Sequence, residues 1–166
     1  MRPGVRIGID VGSVRVGVAR SDPDGLIATP HDTFTRDASG DADVRAVAAL
    51  AAEIAAVEVV VGLPRSLDGS EGAAAAAARD WAARLQRQAP ALGIRLVDER
   101  LTTVDAHRAM REAGRTTRQT RSVIDQQSAV MILQAALDQE RSTGRPAGLV
   151  VGGRKPRHRR REGRGA

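Results

Sequence analysis

A mixed α/β fold, with three antiparallel strands, two parallel strands and helices flanking the sheet, follows from three features of this 166-residue sequence. Apolar residues alternate in two short runs, Ile7-Ile9-Val11 and Val14-Val16-Val18, and Gly12-Ser13 breaks them as in a tight hairpin. Residues 57–63 form a continuous β-branched run of the kind buried on both faces of a parallel sheet, and 94–98 form another apolar strand. Between and after these strands the apolar period changes from two to that of a helix. The resulting order, β-β-β-α-β-α-β-α-α, joins a meander to right-handed crossovers, which place the later strands beside the first.

In chain order, Asp22-Pro23-Asp24-Gly25 has the composition of a β-turn, and residues 26–35 read as a third strand whose Pro30 favours the sheet edge. A polar loop over 36–43 leads to a helix over 44–56, with Val44, Val47, Leu50, Ala51 and Ile54 on one face. Gly62-Leu63-Pro64 ends the fourth strand. An Ala-rich helix over 73–88 follows, with Ser70 as candidate cap and Trp81 and Leu85 as anchors. Thr102-Thr103-Val104-Asp105 has capping-box character and opens a helix ending at Gly114. Residues 115–121 contain three arginines and no apolar residue, and read as a cationic loop. The last helix spans 122–141, with Val123, Val130, Leu133 and Leu137 as its stripe, and 147–151 is a short strand or a docked extension.

Composition bounds the chemistry. There is no cysteine, so disulfides and thiolate metal sites are excluded and oxygen ligands would have to hold any metal. No apolar run approaches the roughly 20 residues of a membrane span, and no leader is evident, so a cytoplasmic protein without a membrane partner is expected. Residues 154–166 carry seven basic side chains and one acid, which equals the whole net charge of +6 and leaves a neutral body. The domain reading is therefore 1–152 as the folded unit and 153–166 as a basic tail, disordered in isolation and suited to a polyanion. Phe34 and Trp81 are the only aromatics, which disfavours base-stacking platforms; a nucleic acid would be held by backbone and shape.

Asp10 lies inside an apolar strand, where an unpaired carboxylate costs several kcal/mol. Glu99 follows the end of another strand, and Asp125 stands near the start of the last helix. In an open α/β sheet, sites lie at the carboxyl ends of the central strands, where Asp10 and Glu99 both fall. Clustered carboxylates stay ionised beside hard cations, and Asp and Glu oxygens suit Mg²⁺ or Mn²⁺. Two such ions would promote in-line phosphodiester hydrolysis. Each acid also has a simpler role open to it. Asp10 could start a turn, Asp125 could complete a capping box with Ser122, and Asp98 competes with Glu99 although strand alternation sends the two to opposite faces. Asp105 reads as a helix cap and His107 as a helix-surface residue that could position a phosphate. Arg115, Arg118 and Arg121 are placed for phosphates, while Arg15 and Arg100 either meet the backbone of a nucleic acid or pair with an acid.

Four segments in order, Gly8-Ile9-Asp10-Val11-Gly12-Ser13-Val14-Arg15-Val16-Gly17-Val18-Ala19, Gly62-Leu63-Pro64 with Asp68-Gly69, Asp98-Glu99-Arg100-Leu101-Thr102-Thr103, and Asp125-Gln126-Gln127-Ser128-Ala129, resemble the YqgF family of RNase H-like proteins. That family is described both as Holliday junction resolvases and as pre-16S rRNA nucleases. The resemblance implies an RNase H-like fold, divalent-metal catalysis and a trio corresponding to Asp10, Glu99 and Asp125, choosing Glu99 over Asp98. A nucleic-acid substrate, branched DNA or precursor rRNA, is implied; acting on a two-fold junction would call for a homodimer. The Arg-rich tail departs from the family pattern. Asp10-Val11-Gly12-Ser13 also resembles the first phosphate loop of actin-like and sugar-kinase ATPases, but those need two such domains. A non-catalytic nucleic-acid-binding or ribosome-assembly factor on the same fold is the remaining alternative.

Overall fold

The computed structural model describes residues 1–101 and 118–152, with side chains for 1–100 and 121–152. Its strands are β1 (Arg6–Val11), β2 (Arg15–Ser21), β3 (Ala28–Thr35), β4 (Glu58–Leu63), β5 (Gly93–Asp98) and β6 (Leu149–Val150). The helices are α1 (Ala42–Glu53), α2 (Ala73–Gln88) and α3 (Arg118–Thr143), with a 3-10 turn at Glu99–Leu101. The sheet order is β3-β2-β1-β4-β5-β6. β1, β4 and β5 are parallel, the β1–β2–β3 meander is antiparallel, and β6 adds an antiparallel sixth strand. The five expected strands are thus present, and the uncertain stretch over 147–151 contains the sixth.

Alternation of side chains builds two cores. Ile7, Ile9, Val11, Val16, Val18, Val59, Val61, Ile94 and Leu96 face α1 and α2, whose Val47, Leu50, Trp81 and Leu85 cover them. The other face carries Ala19, Val60 and Val97 under Ala129, Ile132, Leu133 and Leu137 of α3. Glu58 to Leu63 are all buried, as expected for the central parallel strand. The Pro30 strand is the edge, as its proline requires. Trp81 keeps its indole in the core because Nε1 donates to buried Asp43 Oδ2 at 3.0 Å.

Glycine decides how closely α3 approaches. A Cβ on Gly8 would stand 2.6 Å from Leu133 Cβ and 2.8 Å from the Ala129 carbonyl oxygen, and one on Gly17 would strike the Asp125 carbonyl. The helix therefore lies against bare backbone, antiparallel to β1, with Asp125 over the carboxyl end of the strand and Glu140 at the other. There Glu140 accepts from Arg2 Nε at 2.8 Å and faces the buried guanidinium of Arg6 at 3.6 Å. Hydrogen bonding from Arg2 holds its carboxyl below the usual range.

Three local expectations are corrected. Helix α3 begins at Arg118, so Arg118 and Arg121 belong to its first turns and not to a loop. Arg and Gln are good helix formers, and the anchored body of α3 extends into them without apolar residues of their own. Val123 is exposed, because the buried stripe runs through Asp125, Ser128, Ile132, Ala136 and Glu140. Helix α2 starts after Gly72 without a side-chain cap, and Ser70 instead belongs to the preceding loop, where its amide donates to Asp68 Oδ1 at 2.9 Å. The candidate helix opening at Thr102, with Asp105, His107 and Arg115, and the tail at 153–166 lie outside the described residues.

Candidate active site

Asp10 stands one residue before the end of β1 with its side chain on the α3 face. Its antiparallel partner on β2 is Gly17. On the other side, β1 and β4 pair up to Ile9 and Val61, so the next step along the sheet sets Gly62 beside Asp10. The acid is thus flanked by two residues without side chains, in strands about 4.8 Å away on either side. Each bare position is filled by another acidic residue. A Cβ on Gly62 would strike Glu99 Oε1 and stand 2.5 Å from Ile132 Cδ1; a Cβ on Gly17 would strike the backbone of Asp125. Acidic residues from β1, the end of β5 and α3 therefore lie over the row Gly62, Asp10, Gly17, at the carboxyl end of the parallel strands, Glu99 by its side chain and Asp125 by its backbone.

All three are buried: Asp10 and Glu99 are 1 % exposed and Asp125 2 %. Desolvating carboxylates costs several kcal/mol apiece unless cations or donors meet them. Arg15 is one such cation, its Nε 2.7 Å from Asp125 Oδ2. It lies on the same face of β2 as Gly17, diagonally across from Asp10, and its backbone is held by the Gly12 amide, which donates to the Arg15 carbonyl at 2.9 Å. This pairing also removes the capping role considered for Asp125, which sits two turns inside α3.

Asp98 and Glu99 take opposite faces, as alternation requires. Asp98 accepts from the Arg100 amide at 2.9 Å and from Arg100 Nε at 2.9 Å, and this hydrogen bonding with Arg100 lowers its pKa. Arg65 approaches Asp98 at 3.8 Å and Glu71 at 3.3 Å, tying the β4–α2 loop to the end of β5. Of the candidate basic residues, Arg15 and Arg100 are thus engaged with acids, Arg121 is exposed on the first turns of α3, Arg118 is placed by its backbone alone, and Arg115 lies outside the described residues.

Sequence reasoning missed the part played by four residues. Gly17 and Gly62 make room for the acids, a role visible only once the strand register is known. Arg36 donates from Nη1 to the Gly12 carbonyl at 2.9 Å and lies 3.7 Å from Asp43, anchoring the β1–β2 turn to α1. Ser128 follows Asp125 on the buried stripe, and its Oγ has no hydrogen-bond partner among the described residues; its place in the motif is the only hint the sequence offers.

In type and burial this donor set fits a hard divalent cation. Its arrangement is not a closed cage. Among the described residues no three His, Cys, Asp or Glu side chains stand in metal-holding geometry, and Asp125 Oδ2 is engaged by Arg15.

Comparison with known proteins agrees with the motifs. A family model described as RuvX, Holliday junction resolvase, matches residues 4–139. A protein of Kineococcus radiotolerans named "Putative pre-16S rRNA nuclease" is 56 % identical over 169 residues, covering 99 % of this chain and 89 % of its own. One of the same name from Clavibacter sepedonicus is 52 % identical over 159 residues, covering 96 % of each chain. Among solved structures, T. thermophilus RuvC in complex with a Holliday junction substrate has a TM-score of 0.51 at 14 % identity, covering 86 % of this chain and 99 % of that one. At that identity the likeness establishes the fold, a RuvC-like mixed α/β sheet. With four ordered motifs, the family model and relatives at more than half identity in agreement, the chain belongs to the RuvX family of Holliday-junction-resolvase-like nucleases, also called YqgF.

Proposed function

We propose that this protein is a divalent-metal-dependent endonuclease that hydrolyses phosphodiester bonds in structured RNA, with precursor 16S rRNA as its substrate. The observation that carries this reading is the convergence of Asp10, Glu99 and Asp125 over the row Gly62, Asp10, Gly17. The three carboxylates would hold Mg²⁺ or Mn²⁺, two ions by the chemistry of such clusters. Such ions would supply Lewis-acid stabilisation of phosphate charge and acidify the water used for hydrolysis, chemistry that would leave 5′-phosphate and 3′-hydroxyl ends. Strand register and the packed helix bring the three acidic residues to the same end of the sheet. Arg15, Arg100, Arg115, Arg118 and Arg121, with the basic tail, supply backbone-directed positive charge suited to phosphates. Among the described residues no helix is long and apolar enough to cross a membrane.

RNA is preferred over branched DNA because the relatives at more than half identity carry the rRNA name across nearly their whole length. The test is parallel cleavage of labelled precursor 16S rRNA and four-way DNA junctions in Mg²⁺ and Mn²⁺, with the solution mass measured. Cleavage of the RNA near its 5′ end by a monomer is expected; paired symmetric nicks in the junction by a dimer would replace the RNA assignment with junction resolution.

Gly62→Ala tests the geometry. The new methyl group meets the ends of two flexible side chains, Glu99 and Ile132, so the main consequence is a displaced carboxylate. Cleavage should fall roughly 10- to 100-fold, the scale of a misplaced group around a metal, while stability falls by about 1 kcal/mol, the mild end of overpacking. Wild-type rates in this variant would show that the position of Glu99 is not critical.

A further inference from the structure

We propose that Arg15 is a displaceable internal counter-ion, competing with a divalent cation for the Asp125 carboxylate and so setting the affinity of the acidic site for metal. The inference rests on the metal-site reading above. It begins from an asymmetry within one ion pair: the Asp125 side chain is 2 % exposed, whereas the Arg15 side chain is 25 % exposed. Asp125 cannot turn out to water because α3 is seated against Gly17, where even a methyl group would meet the helix backbone. Its carboxylate therefore has to be met inside the protein, and Arg15 is one of the groups that meet it. Arg15 can leave, since its side chain already reaches solvent and its long stem rotates without disturbing the strand.

The geometry of the contact favours exchange. Among the described residues Arg15 donates to Asp125 from Nε alone, at 2.7 Å, rather than through the two-pronged bidentate arrangement that makes arginine–carboxylate pairs strongest. The backbone of Arg15 is fixed independently, by the bond from the Gly12 amide and by pairing with Thr35 on β3, so departure of the guanidinium requires side-chain rotation only. A doubly charged ion is also attracted more strongly than a single charge spread over a guanidinium to a carboxylate flanked by further acids, because attraction scales with charge. The exchange leaves the guanidinium at the rim of the site and brings the Asp125 carboxylate to the ion.

The experiment is calorimetric titration of the full-length protein with Mn²⁺, comparing wild type, Arg15→Gln, Arg15→Met and Asp125→Asn, with thermal unfolding measured with and without Mn²⁺. Losing the competitor should tighten Mn²⁺ binding in both Arg15 variants by roughly tenfold, the worth of one charge-assisted hydrogen bond. Both variants should unfold at lower temperature than wild type without Mn²⁺ and recover the deficit at saturation. Arg15→Met keeps the aliphatic stem, so it serves if Arg15→Gln does not fold. Unchanged or weaker Mn²⁺ binding in the Arg15 variants, with Asp125→Asn weakening it, would overturn the competition while leaving the metal site in place. Undiminished binding in Asp125→Asn would remove Asp125 from the metal site, and the proposal with it.

Discussion

Asp10→Asn is expected to lower metal-dependent cleavage by at least about 10²-fold, the scale on which removing a key charge-stabilising group in a buried site registers, with no loss of thermal stability. Both halves of the expectation follow from the position of the residue. The side chain sits between Gly62 and Gly17, with Glu99 over one and the Asp125 backbone over the other, so it is the member of the trio adjacent to both others. Asparagine keeps the shape and one oxygen but removes the charge, and a neutral amide is a poor partner for a hard divalent ion. The same change relieves repulsion among crowded acids, so the unfolding temperature should match or exceed that of the wild type. Cleavage and thermal unfolding measured on one preparation decide the matter: full activity in the variant would remove Asp10 from the chemistry, whereas a lower unfolding temperature would mean that its charge is structural.

How much of this was legible beforehand depended on the range of the interaction. Period-two alternation placed Asp10 and the Gly8–Gly17 side of the hairpin on one face and Ile7, Ile9 and Val11 on the other, and the two cores divide along that line. Alternation likewise separated Asp98 from Glu99, and the Asp98 side chain bonds the amide of the following turn. The spacing of Trp81 and Leu85 identified the buried face of α2. What escaped the sequence are facts of register and long-range charge. Nothing local to Gly17 says that the backbone of Asp125 will rest on it, and nothing local to Arg2 says that it will meet Glu58 and Glu140, 56 and 138 residues away. The start of α3 was misplaced for a related reason: residues 118–121 have no apolar signal, and their helical state is imposed by the anchored segment that follows. The pairing of Arg15 with Asp125 was an open choice in the sequence; only the diagonal placement on β2 decides it.

Gly17→Ala is expected to be the most destabilising single methyl group that can be added at the site. Its Cβ would collide with the carbonyl oxygen and carbonyl carbon of Asp125, which are helix backbone and cannot rotate away. The whole amino-terminal part of α3 must lift, and several contacts lift with it: the Arg15–Asp125 pair, the Gln126 Nε2 donation to Thr33 Oγ1 at 3.2 Å and the Thr33 Oγ1 donation to the Ser122 carbonyl at 3.1 Å. Overpacking of this kind costs about 3 kcal/mol at the upper end of its usual range, which for a domain of this size lowers the unfolding midpoint by roughly 6–12 °C. The contrast with the neighbouring position is informative, because Ala19, two residues along the same face of β2, already carries a methyl group and is fully buried beneath α3. The helix accommodates a side chain there but not over Gly17, so the closest approach is at the acidic end of the interface. Cleavage should therefore fall further in Gly17→Ala than the stability loss alone explains, since the lifted segment carries Asp125 away from Asp10. A midpoint within 1 °C of the wild type would show that α3 can slide at no cost, and that the glycine does not set the distance between the two acids.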